Sequence, residues 1–141
     1  MRPKHPIFHK KVGAFTLTEL LVVLAIIGIL ATLLTPSLLR FITKAKNVEA
    51  KTQLAYLQTL QQSYYYEHSR YCSDLNELGY EQGKLVSDGK DGRANYRIEM
   101  VSADNNSFKA RAVSVTDFNG NGKFNVWEID QDKDIKEVIP D

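Results

Sequence analysis

Between Lys11 and Arg40 there is one charged residue, Glu19. Around it runs Phe15-Thr-Leu-Thr-Glu-Leu-Leu-Val-Val-Leu-Ala-Ile-Ile-Gly-Ile-Leu-Ala-Thr-Leu-Leu-Thr-Pro-Ser-Leu-Leu39, 25 residues without another charge. The hydrocarbon core of a bilayer takes about 20 apolar helical residues, so this stretch is long enough to cross one. Few soluble folds can absorb such a segment. A carboxylate inside it is costly without a partner, which makes Glu19 a functional candidate by default.

The flanks give the segment a direction. Residues 1–14 hold Arg2, Lys4, Lys10 and Lys11 and no acid. Cationic residues beside an apolar span stay on the cytoplasmic side, which puts the amino terminus inside and the rest of the protein outside. A secretory signal peptide has an apolar core of about 7–15 residues followed by a small-residue cut site. Here the run is longer and contains a Glu. A plain uncleaved anchor fits the length but gives Glu19 no purpose.

Removing the four leader cations from the 18 Lys+Arg leaves 14 against 17 Asp+Glu, a balance of −3. That argues against a general nucleic-acid binder, which would show a basic face. The single cysteine, Cys72, allows no internal disulfide.

Helical spacing continues past the apolar run through Phe41, Ala45 and Val48, then Ala50, Leu54, Leu57, Leu60 and Tyr64. No Gly or Pro falls between Pro36 and Gly79. A helix from Phe15 to about His68 would be about 80 Å long, with Pro36 expected to kink or loosen it. Four of the eight glycines crowd into residues 79–92, an irregular connection. From Asn95 the period becomes two. Residues 96–101, 108–115 and 124–129 alternate, and 135–139 can close a short edge strand. Turn signals separate them at residues 104–107, 119–122 and 131–134. The expected class is α+β. A long amino-terminal helix, transmembrane in its first half, packs its second half on a four-stranded antiparallel meander.

The residues Gly13-Ala14-Phe15-Thr16-Leu17-Thr18-Glu19-Leu20 resemble the processing site of type IV pilins and of type II secretion pseudopilins. The resemblance implies that a prepilin peptidase cuts between Ala14 and Phe15 on the cytoplasmic face and N-methylates Phe15. Glu19 then becomes the fifth residue of the mature protein, where the family keeps its glutamate. Gly28 and Pro36 fall where many members carry helix-weakening residues. One departure is Ala14, where the family usually has Gly; Gly13 stands one place earlier. The resemblance also implies the pilin fold, with its helix-to-sheet loop often exposed on the filament. Its implied partners are copies of the same protein in a helical filament, the peptidase, an inner-membrane assembly platform, and membrane lipid before assembly. Nucleic acid enters only in a DNA-uptake role. No disulfide-closed carboxyl-terminal loop is expected, since the cysteine pair is missing.

These readings divide the sequence into a leader at 1–14, an apolar assembly helix at 15–39, an amphipathic continuation at 40–71, a connection at 72–94 and a sheet head at 95–141. Glu19 is expected to pair with the amino-terminal ammonium of Phe15 on a neighbouring subunit. In lipid it would be poorly satisfied, so pairing would favour assembly and set the stagger. The plainer reading is a Glu reaching back to the headgroups.

A second candidate is Asp117-Phe-Asn-Gly-Asn-Gly-Lys-Phe-Asn-Val-Trp-Glu128, which fits the calcium-loop pattern D-x-[DN]-x-[DN]-G-x₅-E. Asp117, Asn119 and Asn121 would give side-chain oxygens, Lys123 its carbonyl, Asn125 a direct or water-borne contact, and Glu128 two oxygens. With only two charged ligands, affinity would be weak. The flanks read as strands, and a Gly-rich hairpin whose Asn residues tolerate positive φ is the plain alternative. No cofactor is otherwise required. Tyr64, Tyr65 and Tyr66 fan around a helix and cannot share one core; one or two should pack with Tyr56 and Tyr71. His68 and Cys72, four apart, could share a helix face, but two ligands make a poor metal site. No nucleophile motif or phosphate loop is present. The expected protein is a filament subunit, a substrate of the peptidase and not an enzyme. Its rivals are a pseudopilin of a secretion or DNA-uptake system, and a membrane-tethered binding module that never polymerises.

Overall fold

The structure is a computed structural model that describes residues 13–140. Residues 1–12, with Arg2, Lys4, Lys10 and Lys11, and Asp141 lie outside the described residues. The elements follow in the order α1 (Leu17–His68), a short 3₁₀ turn (Val86–Asp88), β1 (Tyr96–Ala103), β2 (Phe108–Ser114), β3 (Val126–Asp130) and β4 (Ile135–Ile139). The α+β class, the single long helix and the four strands agree with the periodicities of the sequence.

The protein divides into two compact units, one ending at Ser37 and the other running from Leu38 onward. In the first, α1 is helical through Gly28 and Pro36. Its apolar side chains are exposed all round, from Leu17 and Leu20 to Leu33 and Leu34. A helix apolar on every side is made for lipid or for burial among other helices. It is long and apolar enough to cross a membrane.

In the second unit, β1 to β4 form one sheet in the order of the sequence, every neighbouring pair antiparallel. One face carries the core. Ala50, Leu54, Leu57 and Tyr64 from α1 meet Tyr96, Ile98, Phe108, Ala110, Ala112, Trp127 and Ile129 from the sheet. Ala110 and Ala112 on β2 are fully buried within this cluster. The other face carries charge. Glu99, Arg111, Glu128 and Lys136 stand opposite one another across the four strands. Opposite charges facing each other support such a register. α1 stops at His68 because Ser69 turns left-handed (φ 54°), its N–H reaching the Tyr65 carbonyl at 2.8 Å.

The connection after α1 is irregular as expected, yet well packed. Cys72, Leu78, Tyr80 and Leu85 are buried in it. Burial pushes the Tyr80 hydroxyl up to about 12, with Tyr56 and Glu49 nearby adding to the shift. Gly92 is required here, since a Cβ would meet the Leu85 carbonyl oxygen at 1.8 Å.

Side-chain amides do much of the closing. Gln61 is fully buried; its Nε2 donates to the Cys72 carbonyl at 2.6 Å and its Oε1 accepts the Cys72 N–H at 3.0 Å. Gln82 treats β1 the same way, donating to the Tyr96 carbonyl (3.1 Å) and accepting the Ile98 N–H (2.9 Å). This covers part of an open sheet edge. Glu49 accepts both the backbone N–H and the carboxamide N–H of Asn95 at 2.7 Å, and Lys46 donates to the Asn95 oxygen.

Candidate functional site

Gly13, Ala14, Phe15 and Thr16 precede the first turn of α1 and are exposed, Phe15 at 83%. A segment free of helix and packing is what a peptidase needs to draw the polypeptide into its own site. Thr16 then caps the helix. Its backbone N–H and its hydroxyl each donate to Glu19 Oε2 at 2.8 Å, and the Glu19 N–H donates to Thr16 Oγ1 at 3.2 Å. This is a capping box, two groups of the helix end satisfied reciprocally.

The box corrects one expectation. Glu19 is not poorly satisfied in the single subunit, because Thr16 already supplies two donors. The signal was present in Thr16-x-x-Glu19, a pattern that marks helix starts; Thr16 is the site residue the sequence reading missed. A cut between Ala14 and Phe15 would leave the Thr16 N–H in place, so the cap survives it. The new ammonium on Phe15 would sit at the positive end of the helix dipole and be drawn to a carboxylate. Glu19 shares a shallow surface recess with Phe15, Thr18, Val22 and Val23.

Gly28 and Pro36 are both within the α1 backbone, and Gly28 has open space where a Cβ would go. The Pro36 side chain lies outside the described residues.

The loop from β2 to β3 brings together four of the six expected calcium ligands. Asp117 Oδ2 accepts the Gly122 N–H at 2.7 Å, and Oδ1 accepts those of Gly120 (2.7 Å), Asn119 (3.2 Å) and Asn121 (3.3 Å). The Gly122 N–H, with the other amides, holds the Asp117 carboxyl below its usual range. Asn119 Oδ1 accepts from the Asn121 N–H at 2.9 Å, and Asn121 Oδ1 from the Lys123 N–H at 2.7 Å. Gly120 and Gly122 have φ of 76° and 81°, which the loop needs glycine to reach.

The other two side chains point elsewhere. Asn125 is fully buried. Its Oδ1 accepts from the Tyr96 hydroxyl at 2.8 Å, and its Nδ2 donates to Glu137 Oε1 at 2.6 Å and to the Ile139 carbonyl at 3.0 Å. Glu128 lies on β3 between the inward Trp127 and Ile129, so strand alternation turns it outward. There it faces Lys109 at 3.8 Å. Asp117, Asn119, Asn121 and Lys123 share one loop, while Asn125 clasps the core and Glu128 belongs to the charged face.

Of the three consecutive tyrosines, Tyr64 is buried, Tyr65 stacks on Tyr71 with ring centroids 4.8 Å apart, and Tyr66 is 76% exposed. Tyr71 continues to Phe108 at 5.0 Å, which makes a packing cluster. His68 and Cys72 do not share a helix face, because α1 ends between them. His68 stacks on Tyr64 at 4.0 Å. The Cys72 thiol contacts Glu77 Oε2 at 3.4 Å, and burial raises it above its usual range. Glu77 also accepts from the Tyr64 hydroxyl at 2.6 Å, a bond that lowers the carboxyl and raises the phenol. A raised thiol is a poor nucleophile.

Comparison with known proteins matches two families. Residues 36–122 fit one described as "Type IV minor pilin ComP, DNA uptake sequence receptor". Residues 9–35 fit one described as the prokaryotic N-terminal methylation motif. The Type IV major pilin protein PilA of Myxococcus xanthus is 38% identical over 99 residues, covering 69% of this chain and 41% of that protein. The Type IV wide pilus major component PilA4 of Thermus thermophilus is 37% identical over 95 residues, covering 67% of each. The matched stretch thus spans about two-fifths of the first relative's length.

Proposed function

Because this chain belongs to the type IV pilin family, we propose that it is a structural subunit of a type IV pilus-like filament. It is cut before Phe15 by a prepilin peptidase and assembles through its apolar helix. The relatives it matches are structural pilins, not enzymes. The observation that carries the reading is the bare apolar half of α1, with a capped carboxylate near its start, continued by a half that packs in a folded head. Such a bare half-helix has two solvents open to it, lipid and the apolar helices of other copies. The subunit rests as an inner-membrane anchor with its amino terminus cytoplasmic, then moves into a periplasmic or extracellular filament. The assembly platform draws it from one to the other.

Glu19 guides that move by exchanging partners. In the single subunit it holds Thr16. In the filament it takes the Phe15 ammonium of a neighbour, a partner of opposite charge in place of two neutral donors. A buried ion pair is better at fixing register than at adding stability, so its role is the stagger between subunits. Contacts repeated head to tail without closure give an open helical polymer. The subunit needs no cofactor for this.

The test is intact mass of the membrane-extracted protein made with and without a prepilin peptidase. A mature form starting at N-methylated Phe15 is the expected product. An uncut form, or one cut after residue 39, overturns the proposal. The match to a DNA-uptake receptor favours uptake as the second reading. The matched stretch ends at residue 122, before β3 and β4, and the sequence beyond the leader is net acidic. Surface fibres distinguish a pilus, and retention of duplex DNA that falls with salt distinguishes uptake.

A further inference from the structure

We infer that Asn119-Gly120 and Asn121-Gly122 form a latent modification site, two steps able to deamidate without an enzyme, and that Asp117 keeps both unreactive. The chemistry belongs to the loop alone and does not depend on the filament reading.

The reaction needs only water. The backbone nitrogen after an Asn attacks the Asn Cγ, a C–N bond forms, and the carboxamide C–N bond breaks with loss of ammonia. The cyclic imide then takes up water and opens to Asp or isoaspartate. No electron changes hands. A following Gly is the most permissive neighbour, since it has no Cβ to block the attack and turns freely. Two such steps stand side by side here in an exposed loop.

The fold disarms both. The two attacking nitrogens belong to Gly120 and Gly122, and each donates its N–H to Asp117 at 2.7 Å, one to Oδ1 and the other to Oδ2. The two carboxamides under attack are tied as well. Asn119 Oδ1 is held by the Asn121 N–H at 2.9 Å and Asn121 Oδ1 by the Lys123 N–H at 2.7 Å. Each Asn side-chain carbonyl is thereby held to the amide two residues on, which restrains Cγ from swinging onto the next nitrogen. Asp117 is a positioning residue that reaches both steps at once. Its depressed carboxyl keeps it an acceptor well into acid. Asn and Gly in such a loop are ordinarily read as turn formers. That reading accounts for the loop's shape, and the carboxylate that gathers its four amides takes among them the two nitrogens the reaction needs.

Failure of the guard would feed on itself. Each deamidation places a new carboxylate beside Asp117, and like charges repel. An isoaspartate also lengthens the backbone inside the ring of hydrogen bonds.

The experiment incubates the full-length protein in detergent micelles at mildly alkaline pH and follows mass gain, about 1 Da per event, with peptide mapping of isoaspartate. A synthetic peptide of residues 115–125 is the unguarded reference. The wild-type loop should deamidate about 10- to 100-fold more slowly than the peptide, the scale set by a charge-assisted hydrogen bond at each nitrogen. Asp117→Ala should approach the peptide's rate at both Asn119 and Asn121. Asp117→Asn keeps one acceptor oxygen and should release one step only. Trp127 emission confirms that each variant remains folded. Amide hydrogen exchange on the wild type needs no variant and should show Gly120 and Gly122 protected. A wild-type rate equal to the peptide's, unprotected glycine amides, or an Asp117→Ala rate no faster than wild type each overturns the inference. A slower Asp117→Ala rate would make the carboxylate a base, and an equal rate would leave it without effect.

Discussion

Asn125→Ala should cost the head far more than an ordinary loop substitution. Asn125 is fully buried and holds three points together: Tyr96 at the start of β1, and both Glu137 and the Ile139 carbonyl on β4. Truncation leaves Tyr96 little harmed, because its hydroxyl also reaches Asn47 Oδ1 at 3.0 Å. The loss falls on β4. The bond to the Glu137 carboxylate at 2.6 Å is charge-assisted, worth about 1.5–3 kcal/mol, and the bond to Ile139 is worth about 0.5–1.5 kcal/mol. Water can partly replace both, since residues 135–139 are mostly exposed. The expected net loss is about 2–4 kcal/mol, or on the order of 10–20 °C for a head of this size. The one tryptophan, Trp127, is only 8% exposed and sits next to β4, so its emission reports the transition in detergent micelles. The loss should be the same with and without millimolar calcium. A shift under about 3 °C, or one that appears only with calcium, would refute the clasp and return Asn125 to the ligand set.

Glu19→Ala should leave insertion and processing intact while filament yield drops at least about tenfold; normal fibres would remove Glu19 from the assembly argument. Thr16→Ala should keep assembly and fray the first turn of α1, seen as faster exchange of its first amides. Acid should act in a definable window. Asp104, held low by the Asn106 and Ser107 amides, Asp117, held low by Gly122, and Glu77, held low by Tyr64, all have depressed carboxyls. Their contribution is complete above the ordinary carboxylate range and is lost as pH falls through the depressed values. Trp127 emission should therefore hold down to about pH 4 and change below it; loss beginning near neutrality would contradict this. Millimolar calcium should move the midpoint by less than about 1 °C, since Asn125 and Glu128 are engaged elsewhere. A rise of several degrees would support the cation loop.

Much of the fold was legible because it rests on local periodicity. The absence of Gly and Pro between Pro36 and Gly79 marked the long helix, which ends at His68 as expected. Alternation marked β1 and β2 within a few residues, and β4 stands where residues 135–139 were expected to close a short edge strand. β3 begins only at Val126, because Phe124 stays half exposed and Asn125 turns inward. The calcium pattern and the strand pattern were in conflict within the sequence itself. If Trp127 and Ile129 face the core, Glu128 cannot fold back to a loop. Spacing motifs are blind to which way a strand faces, and the period of two puts Glu128 on the charged face beside Lys109. The Thr16–Glu19 box was legible but overlooked beside the carboxylate's isolation. The Glu49–Asn95 grip was not legible at all, being fixed by tertiary packing between residues 46 apart.

The amides of Gln61, Gln82 and Asn125 clasp backbone where a cross-link would otherwise stand, in a protein with one cysteine. Such closures need no oxidant to form and ignore reductants once formed. A head closed this way is complete as soon as it is folded, with no wait for an oxidase. It can also open and shut again unaided, because no covalent bond has to break.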